Sequence, residues 1–213
     1  MKTEEEKAWG KYMNEKFFDL KKEKQDRMIN ASLKIFALNG YRHASTDDIV
    51  AEAGISKGLL FHYFKNKLGL YSFLFDYSVR FMLLELSACG AKDGDDFFEL
   101  WKRMEGAKLL VLKNYPYMQE FIESIRHEDV KEALYATEMK KGALEDLREE
   151  ILSHADRDKF RPEVDVERLK TMLECTFREI LSESFREGTF HPNMMQAEIN
   201  AYLQMMKKIS YRL

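Results

Sequence analysis

The chain has 213 residues, of which 45 % are apolar and 33 % charged, and it holds only 10 glycines and 3 prolines. This composition favours a helical protein with a sizeable core and disfavours a β-sandwich, which needs many tight turns. Two cysteines, Cys89 and Cys175, are too few for a disulfide framework or a four-thiolate zinc site. No apolar run reaches the roughly 18 residues of a membrane span, and the acidic N-terminus lacks the apolar segment of a signal peptide. We therefore expect a cytoplasmic protein with no membrane partner.

An extra amphipathic helix is predicted at the N-terminus, within residues 1–20. Its apolar stripe would consist of residues three and four positions apart: Trp9, Tyr12, Met13, Phe17 and Leu20. Its lysines and glutamates balance, which indicates a structural role rather than a basic arm for DNA. The stripe could pack on the same subunit, on a neighbouring subunit or on a crystal neighbour.

The remaining chain shows helical periodicity throughout and no β alternation, so the predicted fold class is all-α, with about ten helices. After residue 20 the predicted helices span 21–39, 46–53, 57–64, 66–88, 95–115, 116–126, 128–155, 165–187 and 192–211. Glycine and proline set several of the ends, among them Gly40, Pro116 and Gly188. We expect a three-helix domain at 21–67 and a larger helical domain at 68–213.

Residues 44–67 predict a helix-turn-helix. Ser45 and Asp48 form a capping pattern at the start of one short helix, and Gly54 follows it where a turn needs positive φ. Ser56 can cap a second short helix, whose Leu60 would point inward. An ordinary corner of two helices with a basic surface is the alternative.

The outer face of the second short helix carries no acidic residue and points to DNA. It consists of Lys57, Gly58, Leu59, Phe61, His62 and Tyr63. Such side chains can contact base edges, thymine methyl groups and phosphates in a major groove, and glycine permits close backbone approach. Lys67, with the free N–H groups of the next helix, is suited to hold a phosphate. Residues 1–67 carry 13 lysines and arginines against 10 acids, which orients the basic end toward a polyanion.

Residues 24–70 resemble the DNA-binding domain of TetR-type transcriptional regulators. The resemblance rests on Phe36 with Gly40-Tyr41, on Thr46-x-x-Ile49, on the run from Ala53 to Gly58, and on His62-Tyr63-Phe64 with Asn66-Lys67. The rest of the chain matches only in length and helix layout. Leu59 and Phe61 depart from the family pattern, in which threonine and tyrosine are common.

The resemblance implies a homodimer that binds a palindromic double-stranded DNA operator and is released by a small-molecule effector. It implies DNA contacts by Ser45, Thr46, Ser56, Lys57, Gly58, Leu59, Phe61, His62, Tyr63 and Lys67. It also implies a four-helix bundle between subunits built from residues 165–187 and 192–211. Candidate bundle contacts are Met172, Phe177, Ile180, Leu181, Phe185, Ile199, Leu203 and Met206.

The second domain is rich in methionine and aromatic side chains, which suit an adaptable apolar pocket. The candidate effector-binding residues are Tyr77, Phe81, Trp101, Met104, Phe121, Ile125, Met139, Met172 and Phe177. Most residues at such spacing serve the core, so the pocket stays a hypothesis at this point.

Motif searches favour no enzyme. The chain lacks G-x-S-x-G, H-E-x-x-H, C-x-x-C, P-loop and G-x-G-x-x-G patterns, so no catalytic residue, cofactor or metal is predicted. The acidic run at Asp93 lacks the spacing of a calcium loop. The sequence therefore favours a ligand-responsive regulator, more as a repressor than as an activator. The alternatives are a helical small-molecule or lipid-binding protein without operator binding, and an all-α enzyme.

Overall fold

A computed structural model describes residues 13–140 and 142–212, with the exception of the Met139 side chain. The predicted N-terminal helix lies mostly outside the described residues. Its described end contains a 3-10 helix at Glu15–Asp19, so the predicted α-helix is wrong over those residues. Phe17 of this turn is fully buried and contacts the rings of Phe64 and Phe73 at centroid distances of 5.0 and 5.5 Å. The described end of this segment is thus held by aromatic packing.

The described residues form ten α-helices and no strand beyond isolated bridges, which confirms the all-α prediction. In chain order they are α1 Lys22–His43, α2 Thr46–Ala53, α3 Lys57–Tyr63, α4 Lys67–Ser87, α5 Phe97–Asn114, α6 Met118–Ser124, α7 Lys131–Thr137, α8 Ala143–Ser153, α9 Val166–Arg186 and α10 Pro192–Ser210. α1 kinks at Gly40, whose φ of 64° and ψ of 175° are non-helical, where the sequence predicts a helix end. None of these helices is long and apolar enough to cross a membrane.

The chain divides into two compact units, and the three dividing points lie within α4, at the end of α5 and at the start of α8. The first unit comprises Met1–Met82 and Asn114–Ala143, and the second comprises Leu83–Lys113 and Leu144–Leu213. The functional boundaries predicted after residues 20 and 67 stay predictions.

An aromatic cluster forms the core of the first unit. The ring of Phe36 on α1 lies 5.0 Å from that of Tyr71 on α4 and 6.2 Å from that of Phe121 on α6. All three side chains are buried. The edge-to-face contact of Phe36 and Tyr71 is a favoured aromatic geometry, so α1, α4 and α6 are packed through specific ring contacts.

Polar contacts hold α7 to the end of α1. Glu128 accepts hydrogen bonds from the backbone N–H of Tyr41 and from that of Val130, at 2.9 Å each. The Tyr41 hydroxyl donates to Glu132 at 2.7 Å. The Glu128 carboxylate thereby satisfies the N–H group of Tyr41, just after the kink at Gly40, and that of Val130, just before α7.

The single helix predicted over 128–155 is wrong. The structure has α7, a 3-10 helix at Glu138–Lys140 and then α8. Gly142 has a φ of 92°, which breaks the helix between the two segments. Apolar periodicity continues across the break, and this explains why the sequence pattern predicts one helix.

The second unit contains α9 and α10. Its core includes Phe177 and Leu181 of α9 and Ile199 and Leu203 of α10, each exposed by 8 % or less. These four residues were predicted to contact a second subunit, and that prediction is wrong, because a side chain buried within its own chain has no surface to offer. Met172, by contrast, is 45 % exposed, and Ile180, Phe185 and Met206 are partly exposed.

Candidate nucleic-acid interface

α2 begins where the sequence predicts, because Ser45 caps it. The Ser45 Oγ accepts a hydrogen bond from the backbone N–H of Asp47 at 3.1 Å and a long one from Asp48 at 3.5 Å. Asp47 and Asp48 lie in the first turn, where their charges favour the helix dipole. Ile49 and Ala53 are buried and fix the inner face of the helix.

A tight turn joins α2 to α3. Gly54 is left-handed, with φ 63° and ψ 43°, and the Ile55 N–H donates to the Val50 carbonyl at 3.0 Å. Ser56 then caps α3 by accepting from the Leu59 N–H at 3.2 Å. Leu60 is fully buried and anchors α3 against the domain. The predicted helix-turn-helix is therefore present, with Ser45, Gly54 and Ser56 in their predicted roles.

The outer face of α3 is open to solvent. Ser56, Lys57, Gly58 and His62 are exposed, and Leu59 and Phe61 are partly exposed. Among the described residues, no heavy atom lies within 4 Å of a Cβ atom added at Gly58, so packing against them does not require glycine there. The face combines one lysine, one imidazole and two apolar side chains, a set suited to base edges and thymine methyl groups.

Lys57 is paired within the chain. Its Nζ lies 2.8 Å from Asp47 Oδ1 and 3.0 Å from Oδ2, and both side chains are at least half exposed. The pair joins the first turns of α2 and α3 next to Thr46, which is partly exposed. Asp47 and Lys57 therefore link the first turns of α2 and α3 at the protein surface.

Tyr63 and Lys67 are less accessible than the sequence suggests. Tyr63 is 8 % exposed, and its ring packs edge-to-face on His62 and Phe17. The Lys67 Nζ donates to the Arg42 carbonyl at 3.3 Å and lies 4.7 Å from the centroid of the Tyr41 ring. Burial lowers the pKa of Lys67, and the carboxylates of Glu128 and Glu132 oppose that effect. Lys67 thus caps the end of α1.

Sequence reasoning missed two groups in this part of the chain. The sequence gives no signal for Asp47, although its carboxylate pairs with Lys57 of this face. Arg42 is an exposed cation in the last turn of α1 and pairs with Asp129 at 3.1 Å. The signal for Arg42 was available, since basic residues at a helix end attract anions of a partner. The Asp47–Lys57 pair spans ten residues and depends on the angle of the turn.

The candidate effector-binding residues fall in both units. Tyr77, Phe81, Phe121 and Ile125 belong to the first unit, and Trp101, Met104, Met172 and Phe177 belong to the second. Met139 has no described side chain. In the first unit, the Tyr77 and Phe81 rings lie 5.8 and 5.4 Å from that of Tyr115. In the second, Trp101 contacts Phe177 at 5.8 Å. That these residues bind the effector stays a prediction.

No group of three or more histidine, cysteine, aspartate or glutamate side chains in the described part of the chain could hold a metal ion. His154 lies against Asp93, with Nδ1 2.5 Å from Oδ1. A neighbouring carboxylate, Asp95, pairs with Arg103. The acidic run at residues 93–96 is therefore engaged in contacts within the chain.

Comparison with known proteins gives the same family as the resemblance in the sequence, which is thereby confirmed. Residues 28–72 match the family model described as bacterial regulatory proteins, tetR family. No curated protein matches the chain.

Solved structures share the fold along most of the chain. A TetR family transcriptional regulator from Chloroflexus aurantiacus has a TM-score of 0.57 at 20 % identity, with 95 % of this chain and 100 % of that chain covered. The fatty acid degradation regulator FadR of Bacillus halodurans has a TM-score of 0.56 at 22 % identity, covering 84 % and 96 %. PfmR, a TetR family regulator of Thermus thermophilus, has a TM-score of 0.56 at 20 % identity, covering 85 % and 97 %. At these identities the likeness shows the fold alone.

Proposed function

We propose that this chain, a member of the TetR family by its N-terminal DNA-binding domain, is a cytoplasmic repressor that a small, largely apolar effector releases from a palindromic operator. The chain is a transcription regulator of the helix-turn-helix class, and we assign it no catalytic activity. In the bound state, α3 of each of two subunits lies in a major groove of double-stranded DNA.

The open face of α3 carries this proposal. Gly58 is the sharpest observation, because a glycine at an exposed position of a helix costs stability and no described neighbour compensates for it by packing. A close approach of another backbone explains the residue, and DNA is the partner that the neighbouring Lys57 and His62 fit. Leu59 and Phe61 supply apolar contacts to thymine methyl groups in place of the hydroxyl contacts common in the family.

Phosphate contacts position α3. Thr46 at the first turn of α2, with Ser45 and Ser56 at the two helix starts, presents hydroxyl and backbone N–H donors. Lys67 contributes through its charge near the end of α1, and Tyr63 through its hydroxyl while its ring stays packed. These contacts supply affinity without sequence preference.

An apolar stripe on α10 supports the homodimer. Met194, Met205 and Ile209 are 68 %, 48 % and 56 % exposed and lie 11 and 4 residues apart, which places them on one side of the helix. This stripe is distinct from the buried row of Met195, Ile199 and Leu203. A second subunit covering it would remove apolar surface from water and place two α3 helices on one operator.

The alternative function is a helical small-molecule or lipid-binding protein without operator binding. The experiment that separates the two is fluorescence anisotropy with a palindromic duplex selected by the protein, measured at several salt concentrations. The double variant Lys57→Ala/His62→Ala should lose the preference for that duplex over a scrambled one. His191→Ala, which removes an exposed histidine of the second unit, is the control and should keep it. Equal binding of both duplexes by the wild type would favour the alternative.

A further inference from the structure

The indole of Trp101 on α5 has an unused hydrogen-bond donor. The side chain is fully buried, and its Nε1 has no acceptor among the described residues. An indole nitrogen can only donate, and buried tryptophans usually find a partner for it. Leaving a buried N–H unpaired costs free energy comparable to a lost hydrogen bond. An oxygen atom of a ligand would recover that cost.

A second unused donor lies on the side chain that covers this ring. The guanidinium carbon of Arg148 on α8 is 5.4 Å from the Trp101 ring centroid. Arg148 Nη2 donates to Glu174 Oε1 at 3.1 Å, whereas the buried Arg148 Nε has no acceptor among the residues that the structure describes. The Arg148 and Glu174 side chains are only 14 % and 16 % exposed. The second unit therefore holds two unpaired N–H groups on contacting side chains.

The surroundings of these donors are apolar. The Phe177 and Phe97 rings lie 5.8 and 6.2 Å from Trp101, and Met104 is fully buried on the same helix. Neither Trp101 nor Arg148 can accept a hydrogen bond, and arginine keeps its positive charge. The chemical complement of this cluster is an acceptor oxygen with negative charge on an otherwise apolar molecule.

We infer that the effector is a monocarboxylate with an apolar body, whose carboxylate accepts hydrogen bonds from Trp101 Nε1 and Arg148 Nε. This inference rests on the proposed function, in which the second domain binds a small apolar effector. A single charge fits better than a phosphate dianion, because Glu174 already offsets part of the arginine charge. A neutral alcohol or hydrocarbon leaves the charged donor without its best acceptor.

Nuclear magnetic resonance of the full chain with ¹⁵N-labelled tryptophan tests this directly. The chain has two tryptophans, so Trp9→Phe assigns the indole resonance of Trp101. The probes are decanoate and 4-phenylbutyrate, each paired with its neutral counterpart, decan-1-ol and 4-phenylbutan-1-ol. We expect at least one acid to move the Trp101 indole proton downfield and to bind at least tenfold more tightly than its alcohol. An indole proton already at a hydrogen-bonded position without a probe, or no preference for either acid, overturns the inference.

Trp101→Phe provides the matching variant, since it keeps an aromatic ring and removes the donor. We expect it to bind the preferred acid and its alcohol within threefold of each other, while Trp9→Phe keeps the wild-type preference. Full preference in a folded Trp101→Phe overturns the inference. If this variant does not fold, the indole shift of the wild type decides the question alone.

Operator binding, measured on the same samples, separates this inference from the proposed function. Operator binding without acid preference overturns only the carboxylate assignment. Acid preference and indole shift in a protein that binds no operator support the carboxylate site and overturn the regulator.

Discussion

The Nζ of Lys57 lies within 3.0 Å of both carboxylate oxygens of Asp47, so the first residue of α3, the helix that we propose to read DNA, is paired with an acid of the preceding helix. An approaching phosphate must compete with Asp47 for that lysine and also meets the negative charge of Asp47. The pair therefore weakens contacts that any DNA sequence can make. We expect it to lower binding to random DNA more than binding to the operator.

Asp47→Asn should raise affinity for random duplex DNA about fivefold, because roughly 1 kcal/mol of repulsion is removed for a phosphate about 4 Å from the carboxylate in water. Lys57 is then free to contact a phosphate, so the log–log salt slope should steepen by about 1 per subunit. Fluorescence anisotropy at several salt concentrations measures both the affinity for random DNA and the salt slope. Asp48→Asn removes the same charge from the same turn and is the control. An equal change in both variants would mean that only net charge matters.

Gly58→Ala should separate fold from function. Alanine is the better helix former and meets no neighbour here, so the free energy of unfolding should rise by about 0.5–1 kcal/mol. Operator affinity should nevertheless fall, because the added methyl group blocks close approach of the DNA. Urea denaturation measures the free energy of unfolding, and fluorescence anisotropy measures the operator affinity. Unchanged operator affinity in the stabilised variant would remove the main support for α3 as the reading helix.

Met205→Glu should dissociate the dimer. The residue is 48 % exposed on α10, so a charge there is tolerated in the monomer and is buried only when a second subunit covers the stripe. Sedimentation velocity should show a monomer with wild-type helicity, and operator binding should be lost. Gln204→Glu places the same charge at the adjacent exposed position and serves as the control. A Met205→Glu dimer of wild-type affinity would place the interface elsewhere.

Tyr115 should make stability depend on pH in the alkaline range. Its hydroxyl donates to Asp26 at 2.8 Å and accepts from Lys22 at 2.6 Å, and burial is the main cause that raises its pKa to about 12. An unfolded tyrosine loses its proton near pH 10, so the contribution of this group is present below pH 10 and is lost as the pH rises from 10 to 12.

The expected loss from Tyr115 at pH 11 is about 1 kcal/mol of unfolding free energy. Urea denaturation at pH 9 and pH 11 should therefore show a smaller pH effect in Tyr115→Phe than in the wild type. Tyr135→Phe, which changes an exposed tyrosine, should behave as the wild type does. Equal pH effects in all three proteins would contradict a protonated, buried Tyr115.

The sequence predicted the helix-turn-helix well because its signals are local. Ser45, Gly54 and Ser56 act on backbone groups within four residues, so their roles can be read from spacing alone. The fold class follows for the same reason, since periodicity and helix ends are local properties.

Features that depend on distant contacts escaped prediction. The break at Gly142 was missed because the apolar pattern continues across it. Leu203 was expected at the subunit interface, yet periodicity shows only that a residue faces an apolar environment, and its own chain supplies that environment. The Asp47–Lys57 pair and the unpaired Trp101 nitrogen could be found only in the three-dimensional structure. Sequence spacing shows neither which side chains are in contact nor which buried polar atoms lack a hydrogen-bond partner.

Selection of bound duplexes from a random DNA library tests the central claim most directly. If α3 of two symmetric subunits reads two major grooves, the enriched sequences should form one inverted repeat with half-sites related by two-fold symmetry. His62→Ala should relax the choice at one position in each half-site, at a cost of about 1–3 kcal/mol for that base pair. A library without enrichment, or an enriched repeat that His62→Ala, Gly58→Ala and Lys57→Ala all leave unchanged, would contradict the assignment of α3 as the helix that reads DNA.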